Sequence, residues 1–262
     1  TVIHDHDYFN RHIPVDVQAT ITDVTHGYAM LAVMGPGARN LLAKLTDADL
    51  SNEAFPYGTA REMDMAYARP WALRMSYVGE LGWELYIPTM FTLPVFDALL
   101  EEGKKAGLRL IGMQAINSLR LETGYRHWES DITPDETPYE AGLGFGVKLH
   151  KGDFIGRKAL LAQKKDGLKR KLVMVTLADP EIMLYGSEPM YRNGVCMDNL
   201  RSGAYGFKVG TAVGMGYVKN DTPVSDDWIL DGIYELEVQG KMIPATVHIK
   251  SPYDPENQRV RM

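Results

Sequence analysis

Apolar and polar positions alternate most clearly in the run Ser-Tyr-Val-Gly-Glu-Leu-Gly-Trp-Glu-Leu-Tyr-Ile-Pro, residues 76–88. The pattern predicts two apolar strands flanking a Gly79-Glu80-Leu81-Gly82 turn. Successive side chains of a strand point to opposite faces, so Trp83, Leu85 and Ile87 share one face and Glu84 and Tyr86 the other. With the first face in a core, Glu84 is directed into whatever the second face lines. Strands are also expected over residues 17–24 and 28–34, joined by Thr25-His26-Gly27. Gly35-Pro36-Gly37 then opens a helix with Ala38, Leu41, Leu42 and Leu45 at helical spacing. Thr92 is the expected N-cap of a further helix with Pro94 in its first turn. That helix is expected to bury Leu93, Phe96, Leu99 and Leu100 and to end near Gly103 or Gly107. Short helices are predicted over residues 113–122, with Ile116 and Leu119 on one face, and 154–165.

Residues 124–138 lack periodicity and contain Pro134 and Pro138. Irregular segments of this length inside a compact domain are often functional. After Lys169 the texture changes to short strands, at 171–177, 212–218, 234–238 and 242–249, separated by Gly-, Asp- and Asn-rich turns. This places a domain boundary between 160 and 170, with an α+β region over 1–165 and a β-domain, a small barrel or sandwich, over 166–262.

Composition narrows the function classes. The chain has 262 residues and a formal net charge of −6 without long charged blocks, which argues against a nucleic-acid or anionic-membrane surface. The single cysteine, Cys196, allows no internal disulfide. No apolar run reaches the roughly 18 residues of a membrane helix, and no leader is evident. The chain opens Thr1-Val2-Ile3-His4 without Met, as expected of a processed chain or a portion of something longer.

Few motifs carry chemistry alone. His4-Asp5-His6-Asp7 holds ligand-type residues, but without the helical spacing of a zinc-protease site or a third cluster, so no metal site is assigned. Gly35-Pro36-Gly37 lacks both the dinucleotide fingerprint and a P-loop Lys and reads as a structural turn. Cys196 sits at a strand turn with no activating neighbour. No Gly-x-Ser-x-Gly is present. Tyr125, His127 and Trp128 either pin the long loop to the core or wall a planar ligand. From the residues alone, Glu84 is more simply an exposed strand carboxylate, and Glu80 in the turn more solvated still.

Several stretches together resemble a known family. Residues 76–88 resemble the signature of the folate-binding aminomethyltransferase fold, which includes the glycine-cleavage T-protein and the C-terminal half of sarcosine and dimethylglycine dehydrogenases. Asp49-Leu50-Ser51-Asn52-Glu53-Ala54-Phe55-Pro56, Gly124-Tyr125-Arg126-His127-Trp128, Asp153-Phe154-Ile155-Gly156-Arg157 and Lys250-Ser251-Pro252-Tyr253-Asp254-Pro255 resemble the sarcosine dehydrogenase branch. The likeness covers nearly the whole chain in the same order. It implies an α+β aminomethyltransferase-like fold, incomplete at its N-terminus, followed by a C-terminal β-barrel. It also implies a function: an upstream flavin domain or subunit oxidises an N-methyl amine, and this region captures the one-carbon unit on tetrahydrofolate as 5,10-methylenetetrahydrofolate. FAD would belong only to that missing N-terminal domain. The alternatives are a stand-alone folate-dependent aminomethyltransferase or demethylase, or a non-catalytic regulatory subunit of the same fold.

By the resemblance, Tyr77 and Glu84 line the pterin pocket, and Trp128 walls it. The pterin presents adjacent N–H donors that an ionised carboxylate accepts in a fork. There are departures. The family's Asp near the folate nitrogen is expected upstream of Thr1, which leaves no catalytic residue assigned here. An Arg of T-proteins aligns with Ile116, and no flavin fingerprint is present. Bacterial cytoplasm or mitochondrial matrix is the implied location, with no nucleic-acid or membrane partner.

Overall fold

The computed structural model describes residues 2–262. They form two compact units that interleave along the chain. The first runs up to Ser76 and resumes over Leu81–Arg109; the second takes Tyr77–Glu80 and Leu110–Met262. The expected α+β character and the terminal barrel are both present.

In the first unit, β1 (Tyr28–Met34), β2 (Ala60–Glu62), β3 (Trp71–Leu73) and β4 (Gly82–Pro88) form an antiparallel sheet of order β1-β4-β3-β2. Trp83, Leu85 and Ile87 are each fully buried, as the alternation predicts. They pack with Leu41 and Leu42 of α2 (Ala38–Leu42) and with Val95 and Leu99 of α3 (Thr92–Ala106). Burying each such aliphatic side chain contributes about 1.5–3 kcal/mol. The register sets Val33 opposite Trp83 and Leu31 opposite Leu85, so two strands feed one core face. That register fixes which way Glu84 points.

Three local expectations are corrected. Residues 17–24 form no strand: all but Ile21 are exposed and no neighbouring strand pairs with them. The arm before the Gly-Glu-Leu-Gly run ends at Leu73, and an irregular stretch from Arg74 to Leu81 makes the connection. Arg74 accounts for this break, because its buried side chain turns inward to donate to the Phe55 carbonyl at 2.6 Å and to Asn52 Oδ1 at 2.6 Å. In α3, Phe91 takes the N-cap position, Leu93 is exposed and Val95 enters the core instead. The helix does end at Gly107, in the left-handed region at φ 76°. The His4–Asp7 run lies on the exposed helix α1 (Val2–Arg11), where Asp7 pairs with Arg11 at 2.6 Å.

The second unit carries α4 (Met113–Glu122), α5 (Arg157–Asp166) and six strands. These are β5 (Arg170–Leu177), β6 (Pro189–Arg192), β7 (Val195–Gly206), β8 (Thr211–Lys219), β9 (Tyr234–Val238) and β10 (Lys241–His248). They close into a barrel of order β10-β5-β8-β7-β6-β9 around Val175, Met190, Leu200 and Leu236. A short helix, α6 (Asp226–Leu230), precedes β9, capped by the Ser225 hydroxyl. Strands β6 and β7 escape the sequence pattern because register shifts at Met190/Tyr191 and at Leu200/Ser202 interrupt the alternation. No helix among the described residues is long and apolar enough to cross a membrane.

Candidate ligand-binding site

Glu84 sits on β4 between Ala32 of β1 and Leu73 of β3, on the face opposite the core. One position further, Met30, Tyr86 and Trp71 form a row across the same face. They are respectively 51, 38 and 46 % exposed, so the carboxylate borders an open apolar and aromatic surface. The Tyr86 hydroxyl donates to Glu84 Oε2 at 3.0 Å. Among the described residues no group donates to Oε1. Partial burial, and then the Glu84 carboxylate, raise the Tyr86 pKa, which keeps its hydroxyl a donor. A half-met carboxylate beside aromatic faces suits a flat ligand with adjacent N–H donors. Tyr86 was not singled out from sequence, although the alternation that found Glu84 marks it equally.

Tyr77 belongs to the second unit. Its hydroxyl donates to the Arg126 carbonyl at 3.0 Å, and its ring stacks on Tyr125 at 6.2 Å between centroids and 16° between planes. Burial raises its pKa, with Arg120 opposing and Asp131 adding to the effect. The following Gly79 adopts φ 73°, and a Cβ there would meet Thr123 Cγ2 at 2.0 Å. Only glycine fits this turn. Glu80 departs from its expected solvated state: it is 8 % exposed and accepts from the Tyr253 hydroxyl at 2.7 Å.

Trp128 lies in the irregular loop that carries Tyr125 and Arg126, half exposed and bridged to Ile132. The loop is held from beneath. Asp131, fully buried, accepts from Arg120 Nη1, from the Ser202 hydroxyl at 2.6 Å and from the His127 N–H at 2.8 Å. Tyr217 donates to the Asp131 carbonyl at 3.0 Å. Arg126 donates to the Ala141 carbonyl at 2.9 Å and the Gly124 carbonyl at 2.6 Å, and burial lowers its pKa. Tyr125 therefore serves as an anchor of the loop and as the stacking partner of Tyr77. The His127 ring is exposed and meets only Ser130, at 3.2 Å. On α4, Ile116 is half-buried and Arg120 is buried.

Residues 1–151 match the model of the GCVT N-terminal domain, and residues 170–254 that of the glycine cleavage T-protein C-terminal barrel domain. The chain belongs to the glycine cleavage T-protein family. Within it, the chain is 41 % identical over 249 residues to sarcosine dehydrogenase of Mus musculus, covering 94 % of this chain and 27 % of that one. It is 37 % identical over 228 residues to human dimethylglycine dehydrogenase, covering 87 % and 26 %. The chain thus spans about a quarter of the length of these relatives. Among solved structures, the glycine cleavage system aminomethyltransferase T of Bartonella henselae superposes with a TM-score of 0.73 at 28 % identity, over 87 % of this chain and 60 % of that one. As a T-protein family member the chain is an aminomethyltransferase-like module related to these dehydrogenases, and its β5–β10 barrel is the family's C-terminal barrel.

Proposed function

We propose that this chain is the tetrahydrofolate-binding part of a sarcosine/dimethylglycine dehydrogenase-like oxidoreductase. It captures the one-carbon unit from an oxidised N-methyl amine as 5,10-methylenetetrahydrofolate. The observation that carries this reading is Glu84, a carboxylate on the non-core face of β4 with one oxygen met by Tyr86 and the other without a donor among the described residues. Tetrahydrofolate, when bound, supplies the nitrogen atoms that take up the one-carbon unit. Glu84 accepts the adjacent N–H donors of the pterin, and Tyr77 and Trp128 contribute aromatic surface. The amine would be oxidised by a flavin domain or subunit outside this chain, where FAD would be held. The identities to two dehydrogenases named mitochondrial support the matrix or, in bacteria, the cytoplasm as the working compartment. The chain divides functionally into the α+β folate region, 1–165, and the barrel domain, 166–262.

The test is a tetrahydrofolate titration of Glu84→Gln against wild type. Losing one charge-assisted hydrogen bond costs about 1.5–3 kcal/mol, so Kd is expected to rise about 10- to 100-fold. An unchanged Kd overturns the role of Glu84.

A further inference from the structure

The segment after β10 touches the surroundings of Tyr77 at two separate points. Three residues beyond Tyr77, both oxygens of Glu80 are engaged by it: Tyr253 donates to Oε1 at 2.7 Å and Arg259 Nη1 lies 3.5 Å from Oε2. On the stacking side, the Tyr125 hydroxyl donates to Asn257 Oδ1 at 3.3 Å. The segment has a shape of its own. The Tyr253 N–H donates to the Glu122 carbonyl at 3.2 Å, tying it to the end of α4. The Asp254 carboxylate accepts the N–H groups of Gln258 at 3.0 Å and Arg259 at 2.9 Å. Asp254 and Asn257 adopt left-handed backbone, at φ 45° and 51°, and Val260 is buried. A buried carboxylate with both oxygens satisfied from one segment is costly to release, since either partner's loss leaves a desolvated acceptor.

We propose that residues 251–260 form a latch that orients Tyr77, with Glu80 and Tyr253 as positioning residues. One short segment fixes the Tyr77–Glu80 turn through Glu80 and the stacked ring through Tyr125. Neither latch residue touches the ligand; they act through Tyr77. Burial, and then the bond to Glu80, push the Tyr253 hydroxyl up to about 12, so it stays a donor through the neutral range. The effect on ligand rests on the folate reading above, whereas the latch itself does not.

Tyr253→Phe, which removes only the hydroxyl, tests this in the full 262-residue chain. Glu80→Gln, which still accepts from Tyr253, is the conservative companion. Amide hydrogen exchange is followed by mass spectrometry, with tetrahydrofolate titration in parallel. In Tyr253→Phe, exchange at 77–80 and 125–126 is expected to speed up about tenfold while β5 and β8 keep their protection. Tetrahydrofolate Kd should rise about fivefold or more, and Glu80→Gln should fall nearer wild type on both measures. Unchanged exchange at 77–80, or acceleration spread evenly over the barrel, overturns the latch. Local acceleration with an unchanged Kd overturns its positioning role while leaving the folate reading intact. Should wild type bind no tetrahydrofolate, the exchange pattern alone decides the latch.

Discussion

Glu122 closes α4 with its carboxylate inside the second unit, 1 % exposed. Its Oε2 accepts the N–H groups of Lys208 at 2.7 Å and Val209 at 3.2 Å, and its Oε1 has no hydrogen-bond partner among the described residues. Burial raises its pKa above the ordinary 4.5; the two N–H bonds and Lys208 only partly oppose this, and Glu80 adds to it. A carboxyl with a raised folded pKa contributes stability in full below its unfolded pKa. That contribution is lost as pH climbs through the folded value. Glu122→Gln keeps an acceptor for the two N–H groups and removes the titration. Relative to wild type, the variant should therefore gain stability over the pH range above the ordinary carboxyl value of 4.5, measured by urea unfolding. A constant difference across that range would show that Glu122 does not titrate with folding. The contrast among three glutamates shows what a sequence displays. Glu84 is legible because its neighbours Trp83 and Leu85 announce the strand's faces. Glu80 is not, because the group that buries it is Tyr253, 173 positions away. Glu122 is by sequence only the last residue of the helix predicted over 113–122, and nothing local marks the loop after β7 whose N–H groups it accepts.

Among the elements, the loop over 124–138 owes its shape to one ionic centre. Its lack of periodicity and its two prolines were readable, and the structure indeed has no helix or extended strand there. The hidden part was Asp131, an ordinary loop aspartate by sequence. Its partners come from α4, through Arg120, and from β7, through Ser202. Arg120 is 2 % exposed and also donates to Asn117 Oδ1 and Ser202, so its charge is fully committed inside the unit. Removing one partner of a buried ion pair strands the other charge, at about 3–5 kcal/mol. Asp131→Asn should thus lower the unfolding free energy by that amount. Ser202→Ala, which deletes the hydroxyl's bonds to Arg120 and Asp131 but leaves the two charges paired, should cost less, about 1.5–3 kcal/mol. Equal losses in the two variants would place the energy in packing around the loop and not in the ion pair. The helix α4 itself was expected from its apolar positions, yet its buried face is Ser118, Arg120, Leu121 and Glu122. Periodicity located the helix and misassigned its inner side, because three of these four side chains are polar and are satisfied only by tertiary partners.

Across the whole molecule, neither compact unit is continuous in sequence. The chain lends Tyr77–Glu80 to the second unit and returns to the first at Leu81. A boundary read from texture finds one change, from helices to short strands, and cannot register a four-residue excursion. The excursion has energetic content inside the second unit: Gly79 packs against Thr123, and Glu80 holds Tyr253 and Arg259. The barrel closes without those four residues, since every β5–β10 pairing lies beyond residue 169. This separates two outcomes for a fragment of residues 110–262. Its barrel strands should retain slow amide exchange, because their hydrogen-bond partners are all present. Its 251–261 segment should lose protection by about tenfold relative to the full chain, having lost the Glu80 acceptor and with it the contact to Arg259. Equal protection of that segment in fragment and full chain would show that Asp254 and Val260 suffice to hold it. A collapse of protection in β5 and β8 would instead show that the turn 77–80 contributes to folding of the barrel itself.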